Sequence, residues 1–215
     1  MRVDFVRHGK PIYTDEDTLS GAVEGDLIPE GVKQVEDIAS SLLDGIDKEK
    51  ELVVIWCSPK RRARQTADII SLVFDRANVS SRKPRIVWSL RDIILTEETN
   101  SELPEEGRAK SWMEYWTHAA KLPIGMETPV LIRKRVMRVI AGLIRLSHGV
   151  GLEKGKCIRV LCVTHEEIMR DLLEEAFGSG TILGSGPGYG ESLKIEILPD
   201  MVTKTATLSI TFREK

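Results

Sequence analysis

Residues 1–9 read Met-Arg-Val-Asp-Phe-Val-Arg-His-Gly, an apolar run that stops at an arginine, a histidine and a glycine. The run over 1–6 fits a buried central strand, which would deliver the three following residues to the end of a sheet. Arg7 offers a fixed fork of donors for phosphate oxygens, and Gly9 lets an oxyanion approach the backbone. His8 can attack phosphorus while its imidazole is neutral. The stretch therefore predicts a phosphate-handling site at the end of the first strand.

Strand-like and helix-like segments alternate along the rest of the chain. Continuous apolar runs predict strands covered on both faces, and apolar residues at helical spacing predict helices between them. The predicted strands cover residues 1–6, 52–57, 85–88, 158–163, 192–198 and 206–212, and the predicted helices begin at 29, 58, 129 and 166, the last ending at 177. This alternation predicts an α/β fold: a doubly wound, mostly parallel sheet with helices on both faces. The last two strands are expected to form an antiparallel hairpin, and so an antiparallel edge strand.

The chain shows no internal repeat and no linker that would divide it, so we expect a single domain over residues 1–215. Within that domain, residues 92–128 interrupt the alternation because they are charged and contain an amphipathic segment at 112–120. We interpret this stretch as a helical excursion, or lid. Residues 178–190 are rich in glycine but lack the P-loop pattern, so we interpret them as a flexible connector that borders the pocket.

Charge and cysteine content disfavour several classes of protein. Lys plus Arg total 31 and Asp plus Glu total 33, so gross charge favours neither nucleic acid nor a membrane surface as a partner. Cys57, Cys157 and Cys162 lie in apolar strand-like runs without Cys-x-x-Cys spacing, which predicts buried thiols in a reducing compartment. The first residues are already strand-like, and no apolar run reaches the length of a membrane span. We therefore expect a cytoplasmic protein.

Three of the predicted strands lead to reactive side chains. The first ends at Arg7-His8-Gly9, the second leads through Ser58 to Arg61 and Arg62, and the fourth ends at Thr164-His165-Glu166. In doubly wound sheets, ligands bind beyond the carboxyl ends of the strands. Groups that are distant in the sequence should therefore meet at one edge of the sheet and form one site.

These segments, in this order, resemble the histidine phosphatase superfamily, also called the phosphoglycerate mutase-like family. The most specific match is Cys-Ser-Pro-Lys-Arg-Arg-Ala-Arg-Gln-Thr-Ala, which resembles the family's Ser-Ser-Pro-Leu-x-Arg-Ala-x-Gln-Thr-Ala segment. The matching stretches are residues 7–9, 21–34, 57–67, 126–128 with 135–136, and 163–165. The resemblance implies a phosphoglycerate mutase-like fold and a phosphatase that hydrolyses phosphomonoesters through a phosphohistidine intermediate.

The resemblance also implies a role for each residue at these strand ends. His8 would be the nucleophile, and Arg62 rather than Arg61 would be the second phosphate-binding arginine beside Arg7. His165 would add a third donor, as a cation beside the phosphate dianion. The neighbouring arginines should lower the pKa of His8 and keep it nucleophilic. No metal or other cofactor is implied, and the expected partner is a small phosphorylated substrate.

The proton donor for the leaving alcohol stays open at this stage. The family's common branch carries a glutamate two residues after a leucine; here Leu90 is followed by Asp92, the first candidate. Glu97 and Glu98 lie nearby as substitutes. Glu166 is a further candidate because the family's acid phosphatase and phytase branch places an acid directly after this histidine. A helix-terminal charge stabilised by the macrodipole is the simpler interpretation of Glu166.

Substrate contacts and reaction class also stay open. Gly9, Lys10 and Glu166 are expected to border the substrate, and Lys10 either meets an anionic group or stays solvated. Phosphoglycerate mutases usually follow Arg-His-Gly with a serine and an asparagine, whereas residues 10–12 are Lys-Pro-Ile, which weakens a mutase-like phosphotransferase as the alternative. A regulatory module that binds phosphate without turnover is the remaining alternative. The sequence leaves the substrate and the oligomeric state open, and a homodimer is compatible with it.

Overall fold

The structure, a computed structural model, describes residues 1–12, 25–94, 121–122, 124–149, 157–178 and 186–213 of the chain. Its strands and helices alternate as the sequence predicts. The strands are β1 (Arg2–Arg7), β2 (Glu51–Cys57), β3 (Ser81–Ile86), β4 (Cys157–Thr164), β5 (Ser192–Pro199) and β6 (Ala206–Thr211). The helices are α1 (Pro29–Asp44), α2 (Arg61–Arg76), α3 (Pro129–Gly149) and α4 (Glu166–Phe177), and a 3₁₀ turn covers Trp88–Leu90.

The six strands form one mixed sheet in the order β3-β2-β4-β1-β5-β6. The pairs β1–β4, β2–β4 and β2–β3 are parallel, whereas β1–β5 and β5–β6 are antiparallel. The turn between β5 and β6 is closed by Asp200, whose carboxylate accepts hydrogen bonds from the backbone N–H groups of Val202 and Thr203. The predicted mostly parallel sheet with an antiparallel hairpin at one edge is confirmed.

Helices cover both faces of this sheet because successive strand residues point to opposite sides. Phe5 packs into the core under α3 and α4, whereas the next residue, Val6, packs into the core under α1 and α2. In β4, Leu161 and Cys162 divide between the two cores in the same way. A strand that must bury both faces needs a continuous apolar run, which is the pattern that the sequence carries.

The register of the central strands brings their carboxyl ends to one level. Arg7 lies opposite Thr164 in the parallel pair of β1 and β4. The N–H of His8 donates to the carbonyl of Thr164 at 3.1 Å, and the N–H of Ser58, directly after β2, donates to that of Val163 at 2.9 Å. The residues that follow these strands are therefore held side by side at one edge of the sheet.

The strand predicted at residues 85–88 was wrong in its position. β3 occupies Ser81–Ile86, and Trp88 begins the 3₁₀ turn, with 71% of its surface exposed. β3 is an edge strand held to β2 by backbone pairing, and its charged residues Arg82 and Lys83 are exposed. Such a strand carries no apolar pattern that a sequence could reveal.

Two smaller expectations also differ from the structure. The helix predicted to begin at Ser58 starts at Arg61, because the Ser58 hydroxyl accepts the N–H of Lys60 and keeps the approach non-helical. Cys157 is exposed rather than buried because it is the first residue of β4, ahead of the covered part of that strand. Cys57 and Cys162 are buried as predicted.

Most of the predicted lid, including residues 95–120, lies outside the described residues, so the single domain and the lid stay predictions. No helix within the described part of the chain is both long and apolar enough to cross a membrane. The cytoplasmic location stays a prediction as well.

Candidate active site

His8 follows β1 and is buried with its protonation state defined by two fixed partners. Its Nδ1 lies 2.8 Å from the carbonyl oxygen of Gly9, and its Nε2 lies 3.1 Å from Nε of Arg62. A carbonyl only accepts and a guanidinium only donates, so the proton is on Nδ1 and the lone pair is on Nε2. Burial, followed by the charge of Arg62, lowers the pKa of His8 well below its ordinary value. The imidazole is therefore neutral, as predicted, and its Nε2 lone pair is directed at the Arg62 guanidinium.

His165, which follows β4, lies beside His8 with the two ring centroids 5.0 Å apart. Its Nδ1 accepts from Arg62 at 3.3 Å, so Nε2 carries the proton and donates to the Ser58 hydroxyl at 2.7 Å. Burial and the Arg62 charge lower the pKa of His165 well below its ordinary value. Burial and the neighbouring guanidinium both disfavour a charged His165 in this structure. The cationic His165 expected beside a bound phosphate dianion stays a prediction.

Arg62 connects the residues of this cluster. It lies in the first turn of α2 and is buried, and besides the two histidines it forms an ion pair with Asp92. Arg61, by contrast, is half exposed and pairs with Asp26 at 3.3 Å. The structure therefore brings Arg62 and not Arg61 to the strand ends, in agreement with the assignment made from the sequence.

Asp92 is buried directly after the 3₁₀ turn at Trp88–Leu90. Its Oδ2 pairs with Arg62, whereas its Oδ1 is buried and has no hydrogen-bond partner within the described residues. Of the candidate proton donors from the sequence, Asp92 therefore belongs to the cluster. Glu97 and Glu98 lie outside the described residues.

Arg135 of α3 fixes the segment that carries Asp92 through hydrogen bonds to its backbone carbonyls. The guanidinium of Arg135 donates to the carbonyl oxygens of Ser89, Arg91 and Asp92, at 3.0, 2.6 and 3.2 Å. It also forms a two-point ion pair with Glu127, at 2.9 and 2.8 Å. Three backbone bonds from one rigid fork fix the position of the Asp92 carboxylate relative to Arg62.

Glu166 contacts Arg7, the other predicted phosphate-binding arginine. Arg7 donates through Nη1 to Glu166 Oε2 at 2.9 Å and to the carbonyl of Pro187 at 2.5 Å, and its guanidinium lies 4.1 Å from the centre of the Tyr189 ring. Glu166 accepts from Arg170 through its other oxygen, at 2.9 Å. Glu166 therefore clamps Arg7 in place, whereas Nε of Arg7 is buried without a hydrogen bond in the described structure.

Gly9 and Lys10 have structural surroundings that the sequence did not show. A Cβ on Gly9 would overlap the backbone of Gly31, so this glycine allows α1 to approach the end of β1. The N–H of Gly9 donates to Thr66 Oγ1 at 3.2 Å. Lys10 pairs with Glu30 at 2.8 Å on the surface, and this contact raises the pKa of Lys10. The carbonyl of Gly9 bonds to Nδ1 of His8 at 2.8 Å, so Gly9 contacts the buried cluster through its backbone. The predicted substrate contacts of Gly9 and Lys10 stay predictions.

Three residues of the site were missed or undervalued in the sequence. Ser58 orients His165 through a hydrogen bond. Tyr189, the aromatic residue of the glycine-rich loop, stacks on Arg7, and its ring centroid lies 5.5 Å from that of His8. Glu167 is buried near Asp92, and burial raises its pKa to about 7. The signal for Glu167 was present as the second acid of Thr-His-Glu-Glu, but its burial depends on the packing of α4.

The described residues contain no group of three or more His, Cys, Asp or Glu side chains placed to hold a metal ion.

Comparison with known proteins supports the same interpretation. Residues 3–182 match the histidine phosphatase superfamily (branch 1). A metal-independent phosphoserine phosphatase from Arabidopsis thaliana is 27% identical over 187 residues, covering 84% of this chain and 72% of the relative. Among solved structures, YhfR of Bacillus stearothermophilus aligns with a TM-score of 0.70 at 17% identity, covering 99% of this chain and 96% of that one. A mycobacterial glucosyl-3-phosphoglycerate phosphatase aligns with a TM-score of 0.64 at 19% identity, covering 98% and 97%. The two structures share the fold of this chain, and the predicted phosphoglycerate mutase-like fold is confirmed.

Proposed function

The chain belongs to the histidine phosphatase superfamily, and we propose on this basis that it hydrolyses small phosphomonoesters through a phosphohistidine on His8. One observation carries the proposal. The proton of His8 is held on Nδ1 by the Gly9 carbonyl, so that Nε2 presents a lone pair beside the Arg62 guanidinium. A nucleophilic nitrogen next to fixed cationic donors is the arrangement that attack on a phosphate dianion needs.

In the first step, Nε2 of His8 bonds to phosphorus while the bond between phosphorus and the ester oxygen breaks. Arg7 and Arg62 bind the phosphate oxygens, and the Arg62 donors now directed at Nε2 and Asp92 turn to the substrate. Asp92 gives a proton to the leaving alcohol. In the second step, water attacks phosphorus, the nitrogen–phosphorus bond breaks, and a proton from water returns to Asp92.

The arginines supply the positive charge that this mechanism requires. Each arginine–phosphate pair at about 4 Å contributes about 4 kcal/mol at an effective dielectric constant of about 20, before desolvation is subtracted. Because most of the phosphate charge is present before the reaction, these contacts act mainly by holding phosphorus in line with Nε2. His165 extends the same set of donors through the nitrogen that now contacts Ser58.

The protonation of His8 sets the acid limb of activity. Because its pKa is lowered, His8 stays neutral at pH values below 6.5, the ordinary pKa of histidine. Activity is therefore retained in mildly acidic solution and is lost only as the pH falls through that lowered pKa. The rate of phosphate release as a function of pH measures this limb directly.

The decisive experiment compares the wild-type protein with His8→Ala on a panel of phosphomonoesters. Phosphoserine, the substrate named for the plant relative, heads the panel. We expect His8→Ala to lower phosphate release by about 10³-fold or more, because the covalent route is lost. His148→Ala is the matched control, since His148 bonds to backbone carbonyls at the opposite end of α3.

Two outcomes would contradict the proposal. Undiminished turnover by His8→Ala would show that another group is the nucleophile. Isomerisation of phosphoglycerate that is faster than phosphate release would favour the mutase-like phosphotransferase instead.

A further inference from the structure

Glu167 is a buried acid that the mechanism above leaves unused. It lies in the first turn of α4, two residues after His165, and is only 6% exposed. Its Oε2 is buried and has no hydrogen-bond partner within the described residues. A buried carboxylate with an unpaired oxygen is unfavourable relative to the neutral acid, so the position favours a bound proton.

The charges that act on Glu167 belong to the cluster around His8. Burial is the main cause that raises the pKa of Glu167 to about 7, and the negative charge of Asp92 is the second. The backbone N–H of Glu167, followed by Arg62 and Arg7, acts in the opposite direction with smaller effects. Glu167 is therefore coupled to the same groups that would bind the substrate phosphate.

On the other side, Glu167 lines a cavity of about 420 Å³ between α3 and α4. The charged groups that share this lining are Arg133 and Lys134 from α3 and Arg170, Asp171 and Glu174 from α4. Arg133 pairs with Asp171 at 3.1 Å and Arg170 with Glu166 at 2.9 Å, so both cations are engaged with other carboxylates. The cavity faces solvent, which offers a short route for proton exchange.

We propose that Glu167 stores the proton that Asp92 delivers to the leaving alcohol. The inference rests on the proposed function. Asp92 is ion-paired with Arg62; once a phosphate dianion takes the donors of Arg62, the Asp92 carboxylate loses its cation and accepts the proton of Glu167. The ester oxygen then takes this proton from Asp92 as the bond to phosphorus breaks. In the second step, the proton released by the attacking water returns to Asp92 and from there to Glu167. In this scheme Glu167 acts on the reaction only through Asp92, by supplying and taking back the proton.

Glu167→Gln tests the proposal because it keeps the shape of the side chain and removes the proton store. The probes are phosphoserine, whose leaving alcohol is a poor leaving group, and p-nitrophenyl phosphate, whose phenol is a good one. We expect kcat for phosphoserine to fall by about 10-fold or more, while kcat for p-nitrophenyl phosphate changes by less than about 2-fold. The basic limb of the wild-type profile near pH 7 should disappear in Glu167→Gln and persist in Glu167→Asp, which retains a carboxyl group.

Glu174→Gln is the matched control, because Glu174 lies on the same helix and lines the same cavity. It should behave as the wild type does with both substrates. Identical pH profiles and leaving-group dependence for the wild type and Glu167→Gln would overturn the inference. A wild-type protein that releases no phosphate would instead overturn the proposed function.

A measurement on the wild type covers the case in which Glu167→Gln does not fold. Carbon-13 labelling of the glutamate carboxyl groups should show one signal that titrates near pH 7. Inorganic phosphate should shift this titration to lower pH, because the added anion takes the Arg62 donors and the proton of Glu167 then passes to Asp92. The absence of such a signal, or its indifference to phosphate, would overturn the inference.

Discussion

Two buried charge clusters in this protein differ in how completely they are paired. Towards the amino ends of β1 and β4, Arg159 contacts both carboxylate oxygens of Asp4, at 2.8 and 3.3 Å, and donates to the Gly45 carbonyl at 2.7 Å. At the carboxyl ends of the strands and in the first turns of α4, several buried atoms have no hydrogen bond within the described residues. These are Nε of Arg7, Oδ1 of Asp92, Oε2 of Glu167 and Nε of Arg170.

The contrast separates charges that serve the fold from charges that are available to a ligand. Leaving a buried donor or acceptor unpaired costs about 1–3 kcal/mol, so unpaired atoms are rare where nothing but stability is at stake. The Asp4–Arg159 pair meets that requirement inside the chain. The Arg62 cluster does not: Asp92, the ion-pair partner of Arg62, keeps an unpaired oxygen, and Arg7, next to His8 in the sequence, keeps an unpaired Nε.

The largest expected effect comes from breaking the paired cluster. Asp4→Asn should lower the free energy of unfolding by about 3–5 kcal/mol, because Arg159 is left as a buried charge with incomplete pairing. Urea unfolding measures this loss, and kcat of the remaining folded protein should not change. Asp37→Asn, at an exposed position of α1, is the control. A loss below about 1 kcal/mol for Asp4→Asn would show that this pair adds little to the fold.

The second effect concerns Glu167 and depends on pH. Folding raises the pKa of Glu167 from 4.5 to about 7. The folded protein therefore binds this proton more tightly than the unfolded chain does. The resulting stabilisation is complete below pH 4.5 and is lost as the pH rises through about 7. The shift corresponds to about 3 kcal/mol. Glu167→Gln should remove this loss, because the amide does not titrate. The free energy of unfolding of the variant minus that of the wild type should therefore be larger at about pH 9 than at about pH 5. Urea unfolding at both values measures the gain, and an equal difference at both would contradict the buried, proton-holding state.

The smallest effect is expected for Glu166, which contacts Arg7 and is not part of the proposed proton pathway. Glu166→Gln should raise KM by about 3- to 10-fold and leave kcat within about 2-fold, because the contact to Arg7 serves binding. Steady-state kinetics with phosphoserine measures both constants. A fall in kcat that is confined to poor leaving groups would instead make Glu166 the proton donor.

The strands of this protein and the residues at their ends could be predicted because both depend on local patterns. Continuous apolar runs identify strands covered on both faces, and the polar residue after each run must lie at the edge of the sheet. His8 and His165 follow from this rule. The choice of Arg62 over Arg61 came from a family resemblance, and the structure agrees with it because Arg62 lies on the inner face of α2.

Other features of the site depend on contacts between segments that are distant in the sequence. Asp92 is held by three backbone bonds from Arg135, and Gly9 is required by the approach of α1. The neutral state of His165 arises from its burial beside Arg62. No local pattern encodes such contacts, because each of them appears only after two or more elements have packed together.

By itself, the sequence determined the alternation of strands and helices, the position of the proposed nucleophile His8 and the edge of the sheet at which the candidate site lies. The physical reason is that hydrophobic periodicity acts over a few residues and is visible along the chain. The tertiary structure alone decided which carboxyl groups are ion-paired and which hold a proton. Those states depend on burial and on charges a few ångströms away, and both exist only in the packed protein.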